Sequence, residues 1–206
     1  MLGLEIHAAT PDRWLDMVEL FERPGPRGAW PRAGACYCMF WRLEPPEYEA
    51  NFRQRSLDNE TGGPNKRLMA EIVGRGDAPG LLAYRHGHPI GWVAVSPRSE
   101  LVRLRSVPGS LVDDRSTDDG TWSISCFYIH RSEWRSGVGK ALLAAAVAWA
   151  GDRGAAVVEA YPVQVGNIDP YTGYDVMFER SGFELVRSGR GKGRSLWRRA
   201  LQPESG

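Results

Sequence analysis

The sequence predicts an α/β (α+β) fold in which helices flank one central sheet. An apolar run at residues 122–130 is followed by a glycine-containing loop and then by an alanine-rich run at 141–150, the order of a strand, a loop and a helix. A second apolar run at 155–163 follows, and a helix that connects two strands of one sheet makes them parallel. The apolar runs at 80–84 and 90–95 flank the polar turn RHGHP, which is typical of an antiparallel hairpin.

The other elements follow from periodicity and from the positions of Pro and Gly. In chain order we expect a strand at 4–8, a helix from Pro11 with Thr10 as its N-cap, helices at 46–57, 65–73 and 99–107, a short helix ending near Ser181, and strands at 183–188 and 195–201. Residues 23–34 are too rich in Pro and Gly to continue a helix, and residues 112–121 are polar enough for a surface loop.

Length, charge and hydropathy exclude several classes of protein. A chain of 206 residues is long enough for one well-buried core, so we expect a single domain covering residues 1–206. The formal net charge of +1 gives no field that would attract nucleic acid or a membrane surface. No apolar stretch approaches the roughly 18–20 residues of a membrane span, and the N-terminus lacks the pattern of a signal peptide. We therefore expect a cytoplasmic protein, and the excess of arginine over lysine indicates a GC-rich bacterial genome.

The cysteines indicate a reducing compartment. Cys36, Cys38 and Cys126 are an odd number in a chain otherwise poor in cysteine. Neither a second cysteine pair nor a histidine cluster completes four ligands around Cys36 and Cys38. We expect buried structural thiols and no bound metal, with metal or redox chemistry at these cysteines as the alternative.

The segment RSEWRSGVGKALL (residues 131–143) joins the strand at 122–130 to the alanine-rich helix. Glycines there allow backbone N–H groups to approach a ligand, and the start of a helix attracts anions. A P-loop would need glycine at Trp134 and Ser or Thr at Ala141, and the dinucleotide fingerprint would need glycine at Leu142. The loop therefore predicts a phosphate site of another kind.

The order of these segments resembles the GNAT superfamily of acyl-CoA-dependent N-acetyltransferases. In that family the loop reads Gln/Arg-x-x-Gly-x-Gly/Ala, and Gly137 and Gly139 match it. The family's closing signature, an aromatic residue four positions before Gly-Phe, is represented by Phe178 and Gly182-Phe183. The resemblance covers roughly residues 80–200 and implies a mostly antiparallel central sheet with one parallel, splayed pair.

The resemblance implies acetyl-CoA as co-substrate and assigns residues to it. Backbone donors of the loop would cradle the pyrophosphate, and the implied residues are Arg135, Ser136, Gly137, Val138, Gly139 and Lys140. Lys140 fits a phosphate contact or an ordinary surface residue equally well. The pantetheine arm would lie along the backbone of Phe127, Tyr128 and Ile129. Trp134 departs from the family pattern at its first position, and Arg135 would supply the missing side chain from one place later.

The groups for proton transfer depart from the family pattern. Ser123 stands where a histone-type member has its glutamate base, and Phe178 stands where many members have a tyrosine proton donor. Tyr174, one helical turn earlier, would replace the donor if the helix reaches it; otherwise it is a half-buried tyrosine at the helix start. Glu159 lies on a predicted strand beside the cofactor cleft and would be the base, or is paired with an arginine.

Residues 1–75 would supply the acceptor side and residues 80–200 the acetyl-CoA-binding core. Trp30, Phe40 and Trp41 form either a wall of the acceptor pocket or a core plug that closes the sheet. The resulting expectation is an N-acetyltransferase that acts on a primary amine of a small molecule by direct transfer. The alternatives are a protein or peptide amine as acceptor, or a catalytically silent acyl-CoA sensor. The oligomeric state stays open, a homodimer included.

Overall fold

The computed structural model describes residues 3–24, 32–58, 60–106, 112, 119–163, 170–189 and 193–201. Its strands are β1 (Leu4–Ala8), β2 (Gly80–Arg85), β3 (His88–Pro97), β4 (Thr121–Ile129), β5 (Val157–Ala160), β6 (Glu184–Arg187) and β7 (Leu196–Ala200). They form one sheet in the order β1-β2-β3-β4-β5-β7-β6. Neighbours are antiparallel except β4 and β5, which are parallel. The predicted mixed, mostly antiparallel sheet with one parallel pair is therefore confirmed.

Helices cover both faces of this sheet. They are α1 (Trp14–Glu22), α2 (Arg32–Cys36), α3 (Pro45–Asp58), α4 (Gly63–Gly74), α5 (Arg103–Ser106), α6 (Val138–Gly151) and α7 (Asp175–Glu179). One core cluster joins α6 to the sheet, and a second joins α1, α2 and α4 to the opposite face of β2 and β3. Among the described residues, none of the helices is both long and apolar enough to cross a membrane.

Helix α6 packs closely on the sheet because several residues at the contact, alanines on the helix and a glycine on β3, have small side chains or none. Leu142, Ala146 and Ala150 are buried at helical spacing, so one face of the helix is apolar. A Cβ added at Gly91 in β3 would lie 3.0 Å from Val138 Cγ1 and 3.2 Å from Leu142 Cδ1. The glycine therefore allows the first turn of α6 to approach the strand closely, which fixes the position of the loop before the helix.

The predicted hairpin is present, with the turn chemistry that its sequence requires. Arg85 pairs with His88 across the turn, and the two residues between them have positive φ, 51° at His86 and 77° at Gly87. Two central residues with positive φ match the twist of a tight antiparallel hairpin. His86 therefore belongs to the turn, whereas His88 begins β3 opposite Arg85.

Several boundaries differ from the prediction for local reasons. Residues 11–13 form a 3-10 turn before α1, and the Thr10 hydroxyl accepts from Arg13 Nη1 at 3.0 Å instead of capping a backbone N–H. The expected loop at 23–34 ends in the short helix α2. The expected helix at 99–107 is a 3-10 turn (Arg98–Glu100) and the four-residue α5.

Candidate active site

The parallel pair of strands separates where β5 ends. Pairing runs from Thr121 with Val157 to Ile124 with Ala160, whereas β4 continues to Ile129. The register of β4 against β3 shifts next to Ser125, which marks a β-bulge and bends the strand. Within the described residues, the second half of β4 thus presents an edge that β5 does not pair.

Alternation along β4 determines which backbone groups lie on this open edge. His130 donates its N–H to Ile90 O at 2.9 Å. In an antiparallel ladder every second residue bonds to the same neighbour, so Tyr128 faces β3, and Phe127 and Ile129 direct their backbone groups to the open edge. Of the three residues expected along a pantetheine arm, Phe127 and Ile129 have the required orientation. Tyr128 does not, because its backbone pairs opposite Trp92.

Trp134 contacts the open edge from the loop. Its indole Nε1–H donates to Ile129 O at 3.0 Å, and its side chain is 62% exposed. The guanidinium of Arg131 lies 5.5 Å from the ring centroid. The residue that departs from the family pattern therefore supplies a hydrogen-bond donor and a flat apolar surface instead of a cation.

The glycine loop leads into α6 with a left-handed residue at its N-cap, Gly137, whose φ is 86°. Ala141 donates the first helical bond, to Gly137 O at 3.1 Å. The preceding N–H groups of Val138, Gly139 and Lys140 belong to the unpaired first turn of the helix, where the helix dipole is positive. A Cβ on Gly139 would lie 3.2 Å from Ile129 Cδ1. The first turn of α6 and the open edge of β4 therefore meet at Ile129.

Side chains around the loop hold it in place. Arg135 has a φ of 63°, unusual for a residue other than glycine. The hydroxyl of Ser136 donates to Glu133 O at 2.7 Å, and Glu133 is paired with Arg85. Arg135 and Lys140 are exposed, so two cations stand beside the unpaired backbone donors. The Ser136 side chain is engaged within the loop and leaves only its backbone for a ligand.

A cavity of about 630 Å³ lies between α3 and the bulge of β4. Its apolar wall is a continuous series of rings, Phe40 with Trp41 at 4.9 Å, Phe40 with Tyr48 at 5.4 Å and Tyr48 with Phe52 at 6.3 Å between centroids. Phe40 and Trp41 both line it. Trp41 also packs against Tyr161 in a core cluster, so this residue both lines the cavity and belongs to the core. Trp30 lies outside the described residues.

All three cysteines line this cavity, Cys126 from β4 and Cys36 and Cys38 from the end of α2 and the turn after it. Burial raises the pKa of Cys36 to about 11. Hydrogen bonds with the Cys126 thiol and with the Trp92 indole, whose Nε1 is 3.2 Å from Cys38 Sγ, lower the pKa of Cys38. In the part of the chain that the structure describes, no three His, Cys, Asp or Glu side chains are arranged to hold a metal ion.

Glu159 is placed differently from a general base. Its side chain is fully buried, and its oxygens accept from Arg98 Nη1 at 3.1 and 3.2 Å and from Arg198 Nη2 at 2.5 Å. The Tyr161 hydroxyl donates to Glu159 Oε2 at 3.1 Å and lies 2.7 Å from Ser123 Oγ. The structure thus shows the arginine-paired alternative. Both carboxylate oxygens therefore already accept hydrogen bonds from side chains of the protein.

Tyr174 precedes helix α7 instead of lying within it. It is the N-cap, with extended φ and ψ of −109° and 145°, and it is half-buried. Its predicted role as proton donor required the helix to include Tyr174, one turn before Phe178. The helix begins only at Asp175, so this condition is not met. Phe178 is fully buried, with its ring centroid 6.2 Å from Phe127 and 5.2 Å from Phe183. The position where many GNAT members have tyrosine is therefore a packing residue under β4.

Thr172 is a cavity residue that the sequence did not indicate. It ends a 3-10 turn (Pro170–Thr172) that contacts β4. It lines the cavity together with Ser125 and Cys126. The residues before Thr172 have the sequence of a polar loop. Thr172 is buried because its 3-10 turn packs against β4, and no local sequence pattern indicates such a long-range contact.

Comparison with known proteins agrees with this geometry. Solved structures of similar fold include the PaiA N-acetyltransferase of Thermoplasma acidophilum in complex with coenzyme A, at 12% identity, 97% coverage of this chain, 100% of that chain and a TM-score of 0.53. An aminoglycoside acetyltransferase in complex with coenzyme A has 16% identity, coverage of 98% and 96%, and a TM-score of 0.53. The putative acetyltransferase YncA of Salmonella typhimurium, with acetyl-CoA, has 15% identity, coverage of 99% and 97%, and a TM-score of 0.50.

At these identities the likeness to solved structures shows the fold alone, and no curated protein has a sequence that matches this chain significantly. Family membership rests on a separate finding. The model of the Acetyltransferase (GNAT) family matches residues 37–170, well over half of the 206 residues, including the open edge of β4 and the glycine loop. The chain belongs to the GNAT family of acetyltransferases.

Proposed function

We propose that the protein is an acetyl-CoA-dependent N-acetyltransferase that transfers an acetyl group directly to a primary amine of a small molecule. The observation that carries the proposal is the meeting of two backbone sites at Ile129. The first turn of α6 offers unpaired N–H groups to a pyrophosphate, and the edge of β4 offers the backbone groups of Phe127 and the N–H of Ile129, whose carbonyl accepts from Trp134, to an extended arm. The cavity begins at the bulge of the same strand, so a thioester held along β4 would face it.

The backbone donors of Val138, Gly139 and Lys140 fit the pyrophosphate best. Gly139 has no side chain in the position where a Cβ would approach Ile129. The exposed side chains of Arg135 and Lys140 add positive charge beside them. In this arrangement the loop determines where the co-substrate is anchored and β4 determines its direction.

Direct transfer requires a neutral amine positioned at the acyl carbon. The cavity is lined largely by apolar and aromatic side chains, and desolvation lowers the pKa of an ammonium group. Holding two reactants in this geometry replaces a bimolecular encounter by an oriented one, with effective molarities on the order of 10⁵ M or more. The size of the cavity favours a small acceptor over a protein segment, and its aromatic wall favours an acceptor that carries a ring or an apolar chain.

The cofactor assignment is tested by thermal stability with acetyl-CoA. Saturation at 100 times the dissociation constant should add about 2.7 kcal/mol of stability. Gly139→Glu should abolish this shift, because it places bulk and negative charge where the phosphate binds. The matched control is Gly74→Glu on α4, where a new Cβ has nothing within 4 Å. An unchanged shift in Gly139→Glu would remove the phosphate-loop assignment.

The reaction is tested by screening amines with acetyl-CoA and measuring acetylated product by mass spectrometry. Formation of an N-acetyl product from a small amine supports the proposal. The alternative is a silent acyl-CoA sensor, favoured by the absence of a tyrosine hydroxyl at Phe178 and by the pairing of Glu159 with arginines. A sensor would bind acetyl-CoA with a thermal shift and acetylate neither small amines nor peptides.

A further inference from the structure

Two thiols from distant parts of the sequence lie in contact beside the cavity. Cys126 is on β4 opposite Ala94 of β3, and Trp92 lies two residues along β3 on the same face of the sheet. The indole Nε1–H of Trp92 donates to Cys38 Sγ at 3.2 Å, and the side chains of Cys38 and Cys126 are hydrogen-bonded to each other. Both sulfurs are thiols in this structure. The contact joins β4 to the turn after α2.

The turn that carries Cys38 has an unusual backbone. Tyr37 and Cys38 both have positive φ, 45° and 54°, a conformation that is unfavourable for residues other than glycine and persists where the surrounding structure imposes it. Tyr37 is fully buried, and its hydroxyl donates to Glu22 Oε1 at 2.6 Å. The buried tyrosine thus fixes the turn, and the turn holds the Cys38 sulfur against β4.

The surroundings of Cys38 favour its thiolate form. Hydrogen bonds from the Cys126 thiol and the Trp92 indole lower the pKa of Cys38 against the opposing effect of burial, whereas burial raises the pKa of Cys36 to about 11. Cys38 and the half-buried Cys126 both line the cavity, which gives a small oxidant a path to the pair. A cysteine with a lowered pKa beside a second thiol is the arrangement in which oxidation stops at a reversible disulfide.

We propose that Cys38 and Cys126 form a reversible disulfide when the folded protein meets hydrogen peroxide, and that Cys36 takes no part. The Cys38 thiolate attacks the peroxide, the O–O bond breaks, and Cys38 becomes a sulfenic acid while hydroxide leaves and is protonated to water. The Cys126 sulfur then attacks the Cys38 sulfur, its proton passes to the departing oxygen, and a second water leaves. The two sulfurs lose two electrons in total, and the peroxide gains them. A dithiol reductant reverses the reaction.

The disulfide would crosslink the cavity where the proposed transfer takes place. Cys126 directly precedes Phe127, whose backbone groups face the open edge of β4, and the wall residues Phe40 and Trp41 closely follow Cys38 in the chain. A displacement of about 1 Å in positioning groups can cost a rate factor of about 10², so we expect the disulfide to slow acetyl transfer at least about tenfold. This effect on turnover rests on the proposed function, whereas the formation of the disulfide does not.

Peptide mapping tests the crosslink without any catalysis. The folded parent is treated with hydrogen peroxide, quenched with acid and digested with pepsin in the absence of reductant. Mass spectrometry should find a crosslinked peptide pair that joins Cys38 to Cys126 and disappears after treatment with dithiothreitol. Cys36→Ser is the matched control and should form the same crosslink, whereas Cys126→Ser should form none. A bridge between Cys36 and Cys38, or oxidation of the parent without any bridge, would overturn the proposal.

The effect on turnover is measured as the ratio of initial rates before and after oxidation within each protein, so that a change in basal activity cancels. The parent and Cys36→Ser should lose at least about tenfold and recover with dithiothreitol, whereas Cys126→Ser should lose less than about twofold. An equal loss in Cys126→Ser would overturn the link between the crosslink and turnover. If the parent acetylates no amine in either form, the proposed function fails, and the peptide map still decides whether the disulfide forms.

Discussion

Replacement of Glu159 by Gln distinguishes a structural carboxylate from a catalytic one. The change removes the charge and preserves the shape of the side chain. In the folded protein the carboxylate is fully buried, Arg98 beside it is 2% exposed, and Arg198 is 41% exposed. Neutralising Glu159 therefore leaves the Arg98 guanidinium buried beside a neutral amide. We expect this to destabilise the fold instead of acting on turnover alone.

The magnitude follows from the burial of both partners. Removing one member of a buried ion pair costs about 3–5 kcal/mol, because the remaining charge loses its counter-ion in a buried environment. In a protein of this length, each kcal/mol shifts the melting temperature by about 2–4 °C. Glu159→Gln should therefore lower the melting temperature by about 6–20 °C. The same chemical change at Glu60, whose pair with Arg67 is about half exposed at both side chains, should cost less than about 1 kcal/mol.

Scanning calorimetry of the two variants beside the parent measures both effects. The ligand-free proteins are compared first, and kcat follows at a temperature where all three are folded. The reasoning is refuted if Glu159→Gln melts within about 2 °C of the parent and kcat still falls at least about tenfold. That outcome would restore Glu159 as the general base. A large loss of stability with near-normal kcat in the folded fraction would establish the buried ion-pair network as a structural element.

Three further predictions concern the cavity wall, the helix start and the end of β4. Trp41→Ala should raise the KM for the amine more than that for acetyl-CoA and also cost about 3–5 kcal/mol of stability, since the ring is both wall and core; equal changes in the two KM values would count against a wall. Tyr174→Phe should leave kcat within about threefold of the parent, because Tyr174 precedes α7 and is not among the residues that line the cavity; a fall of at least about tenfold with intact acetyl-CoA binding would assign its phenol a part in proton transfer. Burial, with the charge of Arg23, lowers the pKa of His130 from its usual 6.5. The unfolded chain therefore takes up more protons, stability should decrease as the pH falls below about 6.5, and in His130→Asn chemical denaturation should show a weaker decrease.

Much of the fold follows from local sequence patterns. The hairpin, β4 and α6 were predictable because each has a strong period and a turn or glycine at its boundary, and the Gly137 loop was recognisable from its position between two of them. The short helix α2 was not, because the preceding residues are rich in Pro and Gly and a single turn depends on packing.

The site was predictable only where it consists of backbone. Gly137, Gly139 and the start of α6 are local features, whereas the environments of side chains depend on distant partners. Glu159 meets Arg98 across 61 positions and Arg198 across 39, so a strand-face pattern could place the carboxylate but not its charge partners. Thr172 is buried by contact with β4, to which nothing in its own segment points.

The rate at which the three cysteines around the cavity are alkylated can report whether a ligand occupies the cavity. Burial raises the pKa of Cys36 to about 11, so its thiol is almost entirely protonated at pH 8 and reacts slowly. Hydrogen bonds lower the pKa of Cys38, so Cys38 reacts faster once a reagent reaches it. Cys36, Cys38 and Cys126 all line the space that an acyl chain or an amine would fill. A bound ligand should therefore slow alkylation at each of them, and peptide mapping by mass spectrometry would show which part of the cavity each ligand covers. The same arrangement means that colorimetric thiol reagents would modify the protein during turnover, so coenzyme release should be measured after the reaction is stopped.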